Sequence, residues 1–483
     1  MDPAASTLVG RVPERRLLAA AMASPEAELI AVYGRRRVGK TFLIRRHFGG
    51  ELCFELTGTF GGALKAQLRH FAEALAKTTG TGGRSRPPPA SWDEAFGLLA
   101  KAIGRLPARR RKRVVFIDEL PWLATQRSGF LPAFEHFWNA WASRRSDLIV
   151  VVCGSAAAWM VKQLLHARGG LHNRVTRHLR LEPFSLGETR AFLEARRVAL
   201  DEYQILELYM ALGGIPHYLK EIERGESAAQ CIDRVCFSRT GLLGREFSHV
   251  YASLFDEAER HELVVRTLAR LRDGLTRNEL LAAAALRSGG WTTEVLEELE
   301  ASGFVMRTPQ FGRAKKDAVY RLADEHSLFH LYWIEKHRGR SEGAWLRIRG
   351  SPAWRAWSGY SFEGVCLKHA DRLRHALGIG SVQTEESTWR RRSGDDGSDG
   401  AQIDLVIDRK DRCINLCEMK FSEAAFAIDK AYARSLASKR EAFRRLTGTR
   451  KSLFTTLVTT HGLAPTRYRD AAVDVAVDVG ALF

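Results

Sequence analysis

Residues 29–41 read L-I-A-V-Y-G-R-R-R-V-G-K-T: a short apolar run, a loop framed by Gly34 and Gly39, and the start of an amphipathic segment. A buried strand, a glycine-framed loop and a helix N-terminus in this order cradle phosphate oxygens with backbone N–H groups and the helix dipole. We therefore expect Lys40 to reach the β- and γ-phosphates and the Thr41 hydroxyl to ligate Mg²⁺. The sequence thus predicts a site for ATP and Mg²⁺.

The same alternation of apolar runs and helical stretches continues to about residue 185. The strands are predicted at 29–33, 52–56, 114–117, 148–153 and 178–181. Each is short and continuously apolar, as expected of strands that are buried on both faces of a parallel sheet. We expect an α/β fold over residues 1–185, followed by a small helical lid over 186–250.

Two acids end the predicted strand R-V-V-F-I-D-E, and they complete a nucleotide-hydrolysing site. Asp118 would hold the water shell of Mg²⁺, and Glu119 would orient and activate the attacking water. Ser155 ends the next apolar run, where it would sense the γ-phosphate or simply cap a helix. Arg174 would neutralise negative charge in the transition state, either within its own chain or in a neighbouring subunit of a homo-oligomer. The alternative is that Arg174 is an ordinary surface residue.

The motifs G-R-R-R-V-G-K-T, F-I-D-E-L-P, C-G-S and L-G-G-I-P, in this order, resemble those of the archaeal-type ATPase family. That family belongs to the signal-transduction ATPases of the additional-strand class, related to the AAA superfamily. The resemblance covers about residues 8–245 and implies a P-loop NTPase sheet. It also implies that Arg11, in the N-terminal box L-V-G-R, contacts the nucleotide, and that Pro216, in G-I-P, lies near the adenine.

Composition limits the class of partner and the compartment. The 483 residues are expected to form about two to four domains. The chain has 74 Lys and Arg residues against 56 Asp and Glu residues, a net charge of +18. This charge favours a polyanionic partner, with nucleic acid as the first candidate and an anionic membrane as the second. The alternative is that the positive charges simply form a basic, solvated surface. The seven cysteines form no C-x-x-C pair and are expected as buried thiols. We see no signal peptide and no apolar run of about 18 residues, and we expect a cytoplasmic protein without a membrane partner.

Residues 251–335 are predicted to form a winged helix. Three helices are expected: one at about 260–272, a second that begins at the capping box T-R-N-E at Thr276, and a third at 293–301. Two strands, at 304–307 and 318–322, are expected to follow and to enclose a basic tip. The third helix carries four acids, which would be repelled by phosphates, so a packing or relay role is favoured over DNA reading. The acids are Glu294, Glu297, Glu298 and Glu300, and the basic tip contains Arg313, Lys315 and Lys316.

Residues 336–483 carry a second set of acids. Asp404 and Glu418 lie on two predicted strands, 403–407 and 414–417, joined by a tight turn, and Glu363 lies on a helix upstream. A hairpin would place Asp404 and Glu418 side by side, where two carboxylates bind a hard cation such as Mg²⁺ or Mn²⁺. Alternation along E-M-K puts Lys420 on the face of Glu418, suited to hold a nucleophile or to stabilise developing charge.

This arrangement of an acid, a hairpin and E-x-K resembles the PD-(D/E)xK nuclease superfamily, which includes restriction endonucleases. It also resembles the restriction-endonuclease-like domain commonly fused to archaeal-type ATPases. An ordinary exposed hairpin and a nuclease fold without activity remain alternatives. The nearby motif W-R-R-R runs from Trp389 to Arg392. Its arginines would bind phosphates while Trp389 stacks on a base. The alternative is a solvated run of charges beside a buried tryptophan.

Taken together, the sequence predicts an ATP-hydrolysing protein that regulates a fused metal-dependent nuclease acting on nucleic acid, with DNA favoured. The alternative is a signalling or scaffold ATPase whose C-terminal domain binds nucleic acid or protein without cutting. An ATP-dependent transcription regulator is a third hypothesis, weakened by the acidic helix.

Overall fold

The computed structural model describes residues 8–80, 87–165, 171, 173–255, 257–271, 273–287, 289–337, 342–391 and 400–483. Two loops predicted from sequence, 80–89 and 393–400, lie partly outside these residues, and Arg392 lies outside them altogether. The chain divides into two compact units, Met1–Glu182 and Pro183–Phe483.

The first unit is built on a parallel sheet whose strands run in the order β2-β3-β4-β1-β5. The strand β4 lies between β1, which leads into the glycine-framed loop, and β3, which ends in Asp118. All the positions of β3 and β4 are buried, which explains why both read as continuous apolar runs. The strands are β1 (Glu28–Tyr33), β2 (Leu52–Thr57), β3 (Arg113–Asp118), β4 (Leu148–Gly154) and β5 (Arg177–Arg180).

Helices connect the strands of this sheet. An aromatic cluster on one side of it, in which Phe96, Phe130 and Phe134 are 2% exposed or less, packs α4 against α6. Burial of such large side chains is the main stabilising contribution to this layer. The helices are α1 (Val12–Ala23), α2 (Lys40–Phe48), α3 (Leu64–Thr79), α4 (Trp92–Gly104), α5 (Leu120–Leu123), α6 (Phe130–Ala140) and α7 (Ala157–Met160).

The second unit begins with helices. Capping boxes define several of their starts, as at Ser185, Ser227 and Thr276, where each side chain accepts from the backbone three residues on. The helices are α8 (Leu186–Ala195), α9 (Glu202–Leu212), α10 (Pro216–Leu219), α11 (Ala228–Ile232), α12 (Glu246–Leu254), α13 (Ala258–Arg270), α14 (Arg277–Ala283), α15 (Gly290–Ala301), α16 (Glu325–Phe329), α17 (Ala344–Ile348), α18 (Pro352–Lys368), α19 (Ala370–Ala376), α20 (Lys430–Thr447) and α21 (Arg469–Ala472).

Two sheets complete this unit. The smaller has the strand order β6-β8-β7, and the larger has the order β13-β12-β11-β10-β9. In the larger sheet β9, β10 and β11 are antiparallel, whereas β11, β12 and β13 are parallel. The strands are β6 (Leu275–Thr276), β7 (Val305–Thr308), β8 (Val319–Leu322), β9 (Thr384–Arg391), β10 (Ala401–Arg409), β11 (Cys413–Lys420), β12 (Ser452–Thr459) and β13 (Val475–Val477).

The two sheets of the second unit are joined through the chain that leaves β7. The amide of Thr388, in β9, donates to the carbonyl of Pro309, and the amide of Phe311 donates back to the carbonyl of Thr388, both at 2.9 Å. The β7–β8 hairpin is therefore fastened to the edge of the larger sheet by backbone hydrogen bonds.

The structure departs from the sequence-based expectations on both sides of the β10–β11 hairpin. The strand β9 was not predicted, because it reads T-E-E-S-T-W-R-R and lacks an apolar alternation. From the sequence alone a helix is expected over about 424–446, whereas α20 begins only at Lys430, with Asp429 as its N-cap. Before it, Phe426 pairs instead with Leu463 in an isolated bridge.

The seven cysteines are free thiols, and the expected burial holds for five of them. Cys153, Cys231, Cys236, Cys366 and Cys417 are buried, whereas Cys53 and Cys413 are partly exposed. Among the described helices, none combines the length and the apolar character that crossing a membrane requires.

Candidate functional site

The loop between β1 and α2 depends on two glycines. Gly34 has φ 144°, and a Cβ there would lie 2.3 Å from the carbonyl oxygen of Leu181. Gly39 caps α2 with φ 94°, a conformation that an L side chain rarely adopts. The glycines therefore let the loop pass close to the chain after β5 and turn into the helix, as the spacing in the sequence predicts.

Lys40 occupies the centre of this loop. Its Nζ donates to the carbonyl oxygens of Gly34 (2.7 Å) and Arg35 (2.8 Å) and to Ser155 Oγ (3.1 Å). The side chain is only 5% exposed, and this burial lowers the pKa of Lys40, while the acids Glu119 and Asp118 oppose the shift. The ammonium is thus held inside the loop, at the end of β4.

Thr41 and Asp118 place two hard oxygen atoms together. Thr41 Oγ1 donates to Asp118 Oδ2 at 2.6 Å, and Asp118 Oδ1 accepts from the amide of Glu119 at 3.0 Å. A hydroxyl and a carboxylate at the mouth of a phosphate-binding loop are ligands that Mg²⁺ prefers. The donor set therefore fits the cation expected there.

Glu119 is held in an unusual backbone conformation by its neighbours. It has φ 49°, in the left-handed region, which costs a non-glycine residue on the order of 1–3 kcal/mol. Its carboxylate accepts from the amide of Ser155 (3.1 Å) and from Ser155 Oγ (2.5 Å). Ser155 therefore contacts both Lys40 and Glu119, which connects the loop to the acid that would activate water.

Three further predicted residues lie outside this cluster of hydrogen bonds. The guanidinium of Arg11 donates to the carbonyl of Val38 at 3.1 Å, so the N-terminal segment is fastened to the loop itself. Arg174 is exposed in the turn before β5. Pro216 is the first residue of α10 and belongs to the second unit.

The second unit brings Asp404 and Glu418 together on its larger sheet. Leu405 of β10 pairs with Cys417 of β11, so the two acids occupy the next positions of the same hairpin. The amide of Met419 donates to Asp404 Oδ2 at 3.0 Å. Asp404 is 9% exposed and Glu418 is 3% exposed, so two carboxylates are buried side by side.

Glu418 has one satisfied and one unsatisfied oxygen. Lys439 Nζ, on α20, donates to Glu418 Oε2 at 2.6 Å. Among the described residues, Oε1 is buried and has no hydrogen-bond partner. Burial, and next the charge of Asp404, raise the pKa of Glu418 to about 7, against the opposing effect of Lys439. A buried carboxylate oxygen without a partner is costly, and a bound cation would relieve that cost.

Glu363 and Lys420 lie near these acids, but each has a partner. Glu363, on α18, forms an ion pair with Arg321 of β8. Burial and the charge of Asp404 raise the pKa of Glu363 to about 7. Lys420 Nζ lies 5.3 Å from the ring centroid of Tyr432, and it is Lys439 that makes the ion pair with Glu418.

The carboxylates offer an incomplete set of metal ligands. Within the described residues, no group of three or more His, Cys, Asp and Glu side chains is arranged to hold a metal ion. Asp404 and Glu418 supply two carboxylates, so a cation here would take its other oxygens from water, backbone or a phosphate. The unpartnered Glu418 Oε1 is the observation that fits such a cation.

The base-stacking role considered for Trp389 is wrong. Trp389 is 7% exposed and packs edge-on against Phe443, with 5.4 Å between ring centroids. Arg390 is also engaged, since it forms an ion pair with Glu279 of α14 and donates to the carbonyl of Gly274 at 3.2 Å. The buried tryptophan, which the sequence left open as an alternative, is what the structure contains.

Comparison with known proteins identifies the type of domain that contains the first of these sites. Residues 9–222 match the model of an ATPase domain found predominantly in Archaea. The chain carries a P-loop ATPase domain. Its motif residues Lys40, Thr41, Asp118 and Glu119 all lie within the match.

Several whole proteins are similar to this chain. An uncharacterized protein of Methanocaldococcus jannaschii is 24% identical over 418 residues, which cover 86% of this chain and 88% of that protein. A Walker-type ATPase of Pyrococcus abyssi is 17% identical with a TM-score of 0.48, over 67% of this chain and 96% of the other. The ORC2 protein of Aeropyrum pernix is 15% identical with a TM-score of 0.41, over 68% and 94%.

Sequence reasoning missed three residues of the carboxylate cluster. Arg321, Tyr432 and Lys439 are brought to the acids by β8 and α20. Tyr432 and Lys439 are seven residues apart, a spacing that places two side chains on one face of a helix. That spacing is the only signal in the sequence that would have associated them, whereas nothing local marks Arg321. The ATPase domain, by contrast, shows its functional residues in short motifs.

Proposed function

We propose that the ATPase domain controls a metal-dependent nuclease in the second unit, which acts on nucleic acid and preferably on DNA. The observation that carries this proposal is Glu418 Oε1, which is buried beside Asp404 and has no hydrogen-bond partner in the described part of the chain. A protein gains nothing in stability from such an oxygen, so a ligand for it is expected. The fold of the surrounding segment, with α18, three antiparallel strands, α20 and β12, supports a restriction-endonuclease-like domain.

In the ATPase domain, the chain's own residues would carry out nucleotide hydrolysis as follows. The ammonium of Lys40 donates to the carbonyl oxygens of Gly34 and Arg35 in this structure. When ATP binds, it would turn to contact the β- and γ-phosphates instead. Thr41 and Asp118 would hold Mg²⁺. Glu119, positioned by Ser155, would accept a hydrogen bond from the attacking water and orient it towards the γ-phosphate.

In the nuclease site, Asp404 and Glu418 would hold Mg²⁺ or Mn²⁺, a cation that polarises the phosphodiester and lowers the pKa of a bound water. Lys439 forms a 2.6 Å ion pair with Glu418, which favours the ionised carboxylate and partly offsets the effect of burial and Asp404 on its pKa. Lys420 lies two residues from Glu418 on the same strand face, and its ammonium would stabilise negative charge on the phosphate. Glu363 would become a third carboxylate of the site, beside Asp404 and Glu418, when its ion pair with Arg321 breaks.

The segment 251–335, proposed as a winged helix, would relay rather than read sequence. Glu298 of α15 is bound to His261 at 2.7 Å, and the acids Glu294 and Glu297 are exposed on the same helix. Phosphates would be repelled by this face. The exposed tip residues Lys315 and Lys316 remain available for contact with a nucleic-acid backbone.

A second candidate function is a nucleotide-switched signalling or scaffold ATPase that does not cut. The observation that favours it is that two of the predicted catalytic acids are already engaged by cations, Glu363 by Arg321 and Glu418 by Lys439. In that case the second unit would bind nucleic acid or a protein partner, and ATP would change its affinity. A homo-oligomer, with Arg174 acting on a neighbouring subunit, suits either function.

Cleavage assays with purified protein separate the two. Supercoiled plasmid, single-stranded DNA and RNA would be incubated with Mg²⁺ or Mn²⁺, with and without ATP. We expect Asp404→Asn and Glu418→Gln to abolish cutting while ATP hydrolysis is unchanged. Asp408→Asn is the matched control, because Asp408 lies on the same strand and pairs with Lys451 outside the cluster. If the wild-type protein cuts none of these substrates, the nuclease proposal is wrong and the switch takes its place.

A further inference from the structure

Tyr432 carries a buried hydroxyl without a hydrogen-bond partner among the described residues. The residue lies in the first turn of α20, where its amide donates to the side chain of Asp429 at 2.7 Å. Its ring packs edge-on against Phe426, with 5.3 Å between centroids. The backbone and the ring are thus fixed, and the hydroxyl alone is left unused.

The hydroxyl belongs to the same cluster as the acids. Lys420 Nζ lies 5.3 Å from the Tyr432 ring, and Lys439, two turns further along α20, binds Glu418. Burial, followed by the charges of Glu418 and Asp404, raises the pKa of Tyr432, so the hydroxyl keeps its proton at neutral pH. Glu418 Oε1 is also buried, and no described residue is its hydrogen-bond partner. Two unpaired polar atoms therefore lie in one cluster, one a donor and the other an acceptor.

A buried hydroxyl that bonds to nothing lowers stability, whereas a phenylalanine in its place would not. Most buried polar side-chain atoms in proteins have a partner, and an exception calls for an explanation such as a bound ligand. The expected ligand must bring an acceptor for Tyr432 and a positive charge for Glu418. A phosphodiester with its bound divalent cation brings both.

We propose that the Tyr432 hydroxyl binds a non-bridging oxygen of the scissile phosphodiester and orients the phosphate towards the cation held by Asp404 and Glu418. The inference rests on the proposed nuclease function. In the reaction, the oxygen of a water forms a bond to phosphorus and gives up one proton to solvent, the bond from phosphorus to the leaving oxygen breaks, and the leaving oxygen takes a proton from solvent. Tyr432 gives up no proton, and its hydrogen bond strengthens as charge builds on the phosphate oxygen.

The variant Tyr432→Phe tests this, because it removes one oxygen atom and keeps the ring that packs against Phe426 and Lys420. We expect the cleavage rate to fall about 10- to 100-fold, the loss expected for one hydrogen bond to a charged group. ATP hydrolysis should be unchanged, and the melting temperature should be equal or higher. If the tyrosine were purely structural, Tyr432→Phe would show the reverse. Its melting temperature would be lower, and its cleavage rate would fall only as much as the fraction of folded protein falls.

Tyr203→Phe is the matched control, since Tyr203 also has a buried hydroxyl without a partner in the described part of the chain, and burial and Glu207 raise its pKa. It should cleave at the wild-type rate. Wild-type cleavage by Tyr432→Phe, or an equal loss in Tyr203→Phe, would overturn the inference and leave the nuclease proposal standing. No cleavage by the wild-type protein would overturn both.

Discussion

Ser155 holds both carboxylate oxygens of Glu119: its amide lies 3.1 Å from Oε2, and its hydroxyl lies 2.5 Å from Oε1. The same hydroxyl accepts from Lys40 at 3.1 Å. One small side chain at the end of β4 therefore fixes the distance between the ammonium that would bind phosphate and the carboxylate that would activate water.

Ser155→Ala should slow ATP hydrolysis more than it weakens ATP binding. The amide of residue 155 would still bind Glu119, but the hydroxyl that links the carboxylate to Lys40 would be gone. Losing one hydrogen bond to a charged group lowers the rate by roughly 10- to 100-fold. Steady-state phosphate release measures kcat, and Ser128→Ala, which removes a hydroxyl bonded to the Thr125 carbonyl and the Phe130 amide, is the control. An unchanged kcat would mean that the hydroxyl of Ser155 plays no part in hydrolysis.

Glu119→Gln should separate nucleotide binding from hydrolysis. The amide keeps the size of the side chain but is a poor acceptor for the proton of water, so kcat should fall by about 100-fold or more. Binding of ATP, measured by calorimetry, should stay within a few-fold of wild type. Lys40→Ala is the contrasting variant, and it should lose binding itself. Retention of normal hydrolysis in either variant would contradict the assignment of the site.

The ion pair between Arg321 and Glu363 should show strong coupling in a double-mutant cycle. Arg321→Met leaves Glu363 buried without its cation, which should cost about 3–5 kcal/mol of unfolding free energy. Adding Glu363→Leu should restore much of that loss, because two apolar side chains replace a buried charge. Urea titrations measure the cycle.

The exposed pair of Lys410 and Glu385 is the control for that cycle. Its side chains are 55% and 72% exposed, so solvent screening should limit its coupling to about 1 kcal/mol or less. Equal coupling for the exposed and the buried pair would show that Arg321 does not stabilise Glu363.

The second unit should lose stability as the pH falls from 7 to 5, partly through His369. Its Nδ1–H donates to the carbonyl of Val365 (2.8 Å), and its Nε2 accepts from the amide of Leu186 (3.0 Å), so the neutral ring is required. Burial lowers the pKa of His369 from 6.5 to about 4. The stabilisation is thus complete above pH 6.5 and is lost as the pH falls towards 4, by about 2 kcal/mol at pH 5.

His369→Gln isolates this contribution. The variant should be less stable at neutral pH, but its unfolding free energy should change less between about pH 7.5 and about pH 5. Urea titrations at the two pH values give the difference. The same pH dependence in variant and wild type would assign the effect to other groups.

The ATP-binding part of the first unit was readable from the sequence for a physical reason. A strand that is buried on both faces must be apolar throughout, and β1, β3 and β4 are. A loop that turns its amides inwards needs glycine at positive φ, as at Gly34 and Gly39. Both requirements act within a few residues, so a short motif records them.

Only some residues of the carboxylate cluster could be predicted from the sequence, because many of its contacts join residues far apart in the chain. The hairpin that joins Asp404 to Glu418 is local and was predicted. Arg321 reaches Glu363 from 42 residues away, and Arg390 reaches Glu279 from 111 residues away. Such pairs leave no periodic pattern, since each residue alone looks like an ordinary surface charge. The strand β9 was missed for a related reason: its backbone bonds to β10 and to residues 309–311 compensate for a polar sequence.

The distribution of the thiols gives experimental access to the second unit. Burial raises the pKa of Cys53 to about 11 and that of Cys231 to about 12, and Cys153, Cys236, Cys366 and Cys417 are enclosed as well. Thiol reagents attack the thiolate, so these six should react slowly near neutral pH. Cys413 is partly exposed at the first position of β11, five residues before Glu418. A single fluorophore could therefore be attached to the native chain at the start of the strand that carries Glu418, and its emission would follow that strand through each round of ATP hydrolysis.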